Sequence, residues 1–339
     1  MLWVAGRPCL LSIRNTQWLN KALQDGVSRG WLILNLFGRV ILDTLLRPNN
    51  GELLLHLGHS GLEKPELGKL VQKYQLRLIC MVHDLIPITH PQFCRAGTAE
   101  KHILRMGNLL TWSKGVLSNS QSTLNTLTQF AELHKLTMPA CVVAHLPAAS
   151  LPKPSAIPPL QTPYFVMLGT IEGRKNHALI LEVWHQLTTS FADPPPTLVL
   201  IGQRGWACDE VLQRLDNDSV LKPYVIELND CDDATLSTWL SHAKALLFPS
   251  HVEGYGIPLV EALTAGTAVI ASDLDVFHEI AGDIPEYLNP DDAASWSAAV
   301  EDYCLESSPK RTAQLQRLKG FEAPTWESHF AKAEKLIHL

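Results

Sequence analysis

Two parallel-sheet α/β domains facing a cleft are what this chain of 339 residues predicts, and three observations carry the prediction. The length exceeds the roughly 250–300 residues at which a single hydrophobic core stops growing. Apolar runs of strand length alternate with amphipathic stretches of helix length in both halves, the pattern of sheets covered on both faces by helical crossovers. Between the halves, PAASLPKPSAIPPLQTP at residues 147–163 holds six prolines. Proline lacks the N–H and fixes φ, so this segment can neither continue a helix nor sit in a central strand.

In chain order, residues 1–50 read as loop and helix, with an amphipathic stretch at Leu32–Leu46. Strands follow at 51–59, 76–84, 114–120 and 140–147, with helices at 62–73, 97–112 and 121–133. These make a first domain of residues 1–150, read as shortened at its start, and 151–163 are the linker. The second domain, 164–322, has strands at 164–170, 197–202, 224–228, 245–250 and 267–273. Its helices lie near 176–190, 208–215, 233–244 and 258–265, then 291–305 and 309–320. A C-terminal helix within 323–339 is positioned to pack back on the first domain. Ligands of open α/β sheets bind at the carboxyl ends of the strands, so the cleft is where function is expected.

Composition narrows the function. A net charge of −6 gives no electrostatic case for nucleic acid. Residues 1–50 differ, with six basic side chains against two acidic ones and Trp3, Trp18, Trp31 and Phe37 interleaved. Such a segment suits peripheral contact with an anionic membrane surface, or simply covers the first domain. The most apolar run, WLILNLFGRVILDTLL, contains Arg39 and Asp43 and falls short of the ~20 residues a span needs. The start, MLWVAGRPCLL, lacks the features of a secretory signal. Seven cysteines without a C-x-x-C pair favour a reducing cytoplasm over a disulfide frame or a zinc site. The expected location is therefore the cytoplasm, or peripherally the inner face of the cytoplasmic membrane.

The chemistry concentrates in two stretches. HVEGYGIPLVEALTAGTAVIASD, from His251, places Glu253 and Glu261 eight residues apart around a Gly-Tyr-Gly turn at a strand end. Pro258 suits a first helical position, where its missing N–H costs nothing. Glycines allow close approach to a ligand, and the unpaired N–H groups of the helix start favour an anion such as a diphosphate. Glu253 then lies at the ligand and Glu261 a turn into the helix; carboxylates accept strongly from sugar hydroxyls. The plainer reading of Glu261 is a complement to the helix dipole. In FVMLGTIEGRKNHALILEVW, a strand ends at Gly169-Thr170, Arg174 and Lys175 follow, and Asn176 can cap the next helix. Two cations at that mouth would neutralise a leaving diphosphate, or form an ordinary solvated turn.

LGTIEGRKNH and FPSHVEGYGIPLVEALTAGTAVIASD, with MVHDLIPITHPQF and VLSNSQSTLNTL upstream, resemble the retaining family-4 glycosyltransferases of the GT-B fold. The resemblance covers roughly residues 50–339 and is nearest to the bacterial branch that builds surface polysaccharide such as lipopolysaccharide, often mannosyltransferase-like. It implies transfer of a sugar from a nucleotide diphosphate sugar to a glycan or lipid-linked acceptor, with no cofactor and no metal. By it Glu253 contacts the transferred sugar, Glu261 the ribose, and Lys175 with Arg174 the diphosphate. Gly169 and Thr170 adjoin the donor, and Gly254, Tyr255, Gly256 and Ile257 offer backbone contacts. His83 faces the sugar from the first domain, or is a core histidine with Asp84 capping the next turn. The nucleotide base is expected near Gly202-Gln203-Arg204 and Glu227-Leu228. Relatives carry an arginine where this chain has Thr170, and a glycine-rich loop after a first strand that is not seen before Gly51. An inactive scaffold or binding protein derived from such an enzyme is the alternative. A metal site at Asp273-Leu-Asp275, a His56/His59 metal pair, a glycoside hydrolase and a nicotinamide dehydrogenase fit the pattern less well.

Overall fold

A computed structural model of the chain describes residues 2–4, 7–9, 50–190 and 195–338. The amphipathic stretch at Leu32–Leu46 and most of the basic segment 1–50 lie outside the described residues. Where the sequence reads as loop and helix, the start instead holds a short antiparallel hairpin of β1 (Leu2–Val4) and β2 (Arg7–Cys9).

The first sheet is four-stranded and parallel, in the order β3 (Leu53–His56), β4 (Arg77–Val82), β5 (Gly115–Ser118), β6 (Ala140–Val143). Its helices are α1 (Pro65–Lys73), the single turn α2 (Ile86–Thr89), α3 (Thr98–Trp112) and α4 (Gln121–Leu133). Leu67 and Val71 of α1, Met106 and Leu109 of α3, and Leu127 and Phe130 of α4 close over Leu78, Cys80, Val82 and Val116. Those helical positions recur at three or four residues, so each helix turns one apolar stripe to the sheet.

The second sheet has six parallel strands. In chain order the elements are β7 (Tyr164–Leu168), α5 (His177–Ser190), β8 (Thr197–Ile201), α6 (Asp209–Asn217), β9 (Val225–Leu228), α7 (Asp233–His242) and β10 (Leu246–Phe248). There follow α8 (Ile257–Thr264), β11 (Val269–Ser272), α9 (Asp275–Ala281), β12 (Glu286–Leu288), α10 (Ala293–Cys304), α11 (Pro309–Leu318) and α12 (Trp326–Ile337). The order across the sheet, β12-β11-β10-β7-β8-β9, reverses direction between β7 and β10. That reversal opens a crevice beyond the carboxyl ends of these two strands, where connections leave to opposite faces. Apolar cores on the two faces contain Phe165, Trp184 and Trp296 on one side and Tyr164, Phe248 and Phe277 on the other.

The proline-rich segment is packed on the second domain. Ser237 Oγ donates to the Pro152 carbonyl at 2.6 Å, and Ser155 N–H donates to Thr238 Oγ1 at 3.1 Å. Helix α12 crosses back to the first sheet, burying Leu336 against Ile79, Met81 and Leu117. Arg77 donates to the Ile337 carbonyl on the same face. Among the described residues no helix is long and apolar enough to cross a membrane.

Candidate functional site

The loops that leave β7 and β10 meet at the reversal of the second sheet, and the ends of β4 and β5 face them from the first. Between them lies a cleft of about 480 Å³. His83, Thr170, Arg174, Lys175, Glu253, Gly254, Tyr255, Gly256 and Ile257 all line it. Gly169 and Glu261 do not. The sequence reading missed Asp84, Phe93, Asn119, Glu172 and Trp206, which line it too. Glu172 stands inside the quoted LGTIEGRKNH stretch, between two residues singled out, so its carboxylate was the one available signal.

Glu253 is the centre of charge. Its Oε2 lies 2.6 Å from Arg174 Nη1, and its Oε1 lies 2.6 Å from Lys175 Nζ and accepts from Ser250 Oγ at 2.8 Å. Burial alone would raise this carboxyl, but Lys175 and Arg174 outweigh it and hold it below the usual range. Arg174 is shared: its Nη2 pairs with Glu172 Oε1 at 2.7 Å. Glu172 is buried, and that burial pushes its carboxyl up despite Arg174 and Lys175. Lys175, also buried, lies 4.6 Å above the Phe248 ring. The His251 N–H donates to the Arg174 carbonyl at 2.9 Å, tying the two loops together. The basic turn is therefore no solvated turn; both cations meet on Glu253, and Arg174 also holds Glu172.

The helix start is shaped by Gly256, whose φ of 116° is open to glycine and costly for other residues. A Cβ there would lie 2.9 Å from the Phe277 ring. Helix α8 begins at Ile257, so Pro258 takes the second helical position, one later than its expected place, and no side chain caps the first turn. In its first turn Pro258 has no N–H, and the Leu259 and Val260 N–H groups donate to the Gly256 carbonyl at 3.0 and 3.3 Å, which leaves the Ile257 N–H, in the cleft lining, for a ligand. Tyr255 spans the domains, donating through its hydroxyl to the Leu146 carbonyl at 2.6 Å.

Several expectations are corrected. The Asn176 side chain does not cap α5: the residue is left-handed at φ 56°, and its Nδ2 donates to the Pro290 carbonyl at 2.8 Å. Glu261 is not among the residues lining the cleft; burial and then Asp233 raise its carboxyl to about 7. Among the described residues that carboxylate has no hydrogen-bond or ion-pair partner. Arg204 pairs with Glu227 at 2.8 Å and Asp216 at 2.7 Å. Asp273 pairs with His278 at 2.7 Å.

His83 is not a core histidine. It lines the cleft while its Nε2 lies 2.8 Å from the Leu57 carbonyl. Behind it, His59 Nε2 accepts the His83 N–H at 3.3 Å. Burial first, then His102 and His83, push His59 down to about 3, which keeps that nitrogen an acceptor. Asp84 caps the turn, its Oδ1 accepting from the Ile86 N–H at 3.0 Å. Among the described residues no three His, Cys, Asp or Glu side chains are grouped to hold a metal ion.

Residues 153–317 match the family model described as "Glycosyl transferases group 1". The serotype-specific mannosyltransferase WbdA of Escherichia coli is 26% identical over 242 residues, 66% of this chain and 29% of that protein. The O-antigen chain mannosyltransferase RfbU of Salmonella typhimurium is 35% identical over 142 residues, 41% of this chain and 38% of that protein. The chain thus spans well under two thirds of the length of either relative. Among solved structures, TarM superposes with a TM-score of 0.64 at 12% identity, over 89% of this chain and 58% of that one. Anabaena Alr3699/HepE in complex with UDP also gives 0.64, at 14% identity, over 85% of this chain and 79% of that one. The two facing parallel sheets are a GT-B fold, and the match to the glycosyl transferases group 1 model falls on the second of them.

Proposed function

We propose that this chain transfers a sugar from a nucleotide diphosphate sugar to a hydroxyl of a glycan or lipid-linked acceptor, retaining the anomeric configuration, in surface polysaccharide assembly. The printed names of the relatives favour mannose as the sugar. One observation carries the reading: Arg174 and Lys175 converge with an uncapped helix start on Glu253, at the crevice between β7 and β10.

The difficult moment of such a transfer is charge building on the departing diphosphate while the sugar becomes oxocarbenium-like. Arg174, Lys175 and the Ile257 N–H are fixed donors beside that position, which is where electrostatic stabilisation acts most. Removing one such donor typically costs on the order of 10²–10³ in rate. Glu253 holds both cations until the diphosphate competes for them, and is then free to face the transferred sugar. Glu261, lacking a partner, accepts from the ribose hydroxyls. The acceptor hydroxyl gives its proton to the departing phosphate oxygen. In this reading the protein supplies the cations itself, so turnover proceeds in EDTA. It works in the cytoplasm, and residues 1–50 rest on an anionic membrane surface; co-sedimentation with phosphatidylglycerol vesicles tests that contact.

The deciding experiment is thermal shift with UDP, GDP and TDP on the chain and on Lys175→Ala and Glu261→Ala. Loss of the shift in both variants is expected. A shift unchanged in both removes the site assignment, and binding without release of nucleotide from any sugar donor favours the scaffold reading.

A further inference from the structure

The backbone next to Glu253 is held by the other domain. Ser120, buried at the start of α4, accepts the Thr123 N–H at 3.0 Å as the helix cap, and its own hydroxyl donates to the Gly254 carbonyl at 2.7 Å. Thr123 Oγ1 reaches the same carbonyl at 3.0 Å and that of His83 at 3.3 Å; its single proton has Gly254 as the nearer acceptor. Gly254 permits this approach, because a Cβ there would sit 2.3 Å from the His83 carbonyl oxygen and 2.7 Å from Asp84 Cβ. Among the described residues every polar contact of the Glu253 carboxylate itself, by contrast, comes from the second domain: Ser250, Arg174 and Lys175.

We infer that Ser120 and Thr123 are positioning residues for sugar transfer, holding the loop beside Glu253 in its working place only when the two domains are together. The inference rests on the reading of this cleft as the donor site. When a diphosphate draws Arg174 and Lys175 away, Glu253 loses two of its anchors, and the Gly254 carbonyl becomes the nearest fixed point of its loop. The residues assigned to the nucleotide, Lys175, Ile257 and Glu261, all belong to the second domain and do not depend on that point. Nucleotide affinity and turnover therefore separate.

The test uses the full chain and the variants Ser120→Ala, Thr123→Val, the double variant and Thr123→Ser. Affinity is read by titration with UDP and GDP. Turnover is read as nucleotide release from GDP-mannose or from whichever UDP-sugar the unaltered chain consumes. Expected are unchanged nucleotide affinity and a kcat lowered on the order of 10–100-fold in the double variant, the cost of misplacing a reacting group by about an ångström. Thr123→Ser, which keeps the hydroxyl, restores turnover. Small-angle scattering of the double variant shows a larger radius of gyration than the unaltered chain. An unchanged kcat in the double variant overturns the proposal, as does affinity falling in step with kcat. Should the double variant fail to fold, Thr123→Val alone reads the same split, since it keeps the side-chain shape and the Ser120 bond. If the unaltered chain binds neither nucleotide, the donor reading itself fails and the proposal with it.

Discussion

At the scale of single residues, two glutamates of one motif have opposite electrostatics. Glu253 is ionised because two cations outweigh its burial, and removing it leaves Arg174 and Lys175 without their shared counter-charge. Breaking a buried pair from one side costs about 3–5 kcal/mol. Glu253→Ala is therefore expected to melt well below the unaltered protein, and pyrophosphate to restore more stability to the variant than to the parent; equal gains in both would argue against a diphosphate at these cations. Glu261 is the reverse. Its folded value is raised to about 7 against an ordinary 4.5, so over that window the folded state holds a proton that the unfolded state has lost. Stability must then fall as pH rises through the window. Glu261→Gln, which cannot ionise, is expected to melt higher than the parent above pH 7, with the gain vanishing below pH 4.5, while nucleotide affinity is lost. A melting difference independent of pH would contradict the assignment.

At the scale of elements, α4 begins in one domain and is capped partly by the other. The Glu279 carboxylate of α9 accepts the N–H groups of Gln121 at 2.7 Å and Ser122 at 3.0 Å, and His145 at 2.7 Å. An anion on a helix start satisfies donors that otherwise have no partner. These three bonds also lower the Glu279 carboxyl against the opposing pull of its burial. Loss of a capping side chain typically costs about 0.5–2 kcal/mol. Glu279→Ala should lose about that much, and hydrogen exchange should quicken at the first turn of α4 and not at its end. Uniform quickening along the helix would mean that Glu279 does not act as its cap. The strand–turn–helix units at 164–190 and 245–264 were legible in the sequence, because glycine, proline and apolar periodicity act over a few residues. Elements β12 and α9 were not read, being short and close to the β11 run.

At the scale of the whole molecule, the last helix belongs to the first domain in space. Leu336 is 3% exposed, packed on Ile79, Met81 and Leu117. Leu336→Ala creates a void in the first domain and is expected to cost about 2–5 kcal/mol. Because α12 is the covalent extension of the second domain, the variant should also widen the molecule in scattering; destabilisation without expansion would mean the helix does not help hold the domains together. The bonds across the cleft, Ser120 and Thr123 to Gly254, Tyr255 to Leu146 and Trp206 to Phe93 at 3.2 Å, describe one closed arrangement. The Gly-Tyr-Gly turn and the stretches VLSNSQSTLNTL and MVHDLIPITHPQF marked both halves of that arrangement in the sequence, but not that they meet.

What the sequence by itself determined is local: the order of strands and helices, the proline-rich joint, and the two stretches at 169–176 and 250–261 that carry the charged and flexible residues. Periodicity and turn chemistry need only near neighbours, so they can be read from a string. Which partner each charge takes was decided by tertiary structure alone. Lys175 and Glu253 are 78 positions apart, Ser120 and Gly254 are 134, and Gln121 and Glu279 are 158. Distances of that kind close only when the second sheet reverses at β7 and β10 and the first domain docks over it. For the same reason Glu172 and Asn119 became visible as cleft residues only in three dimensions.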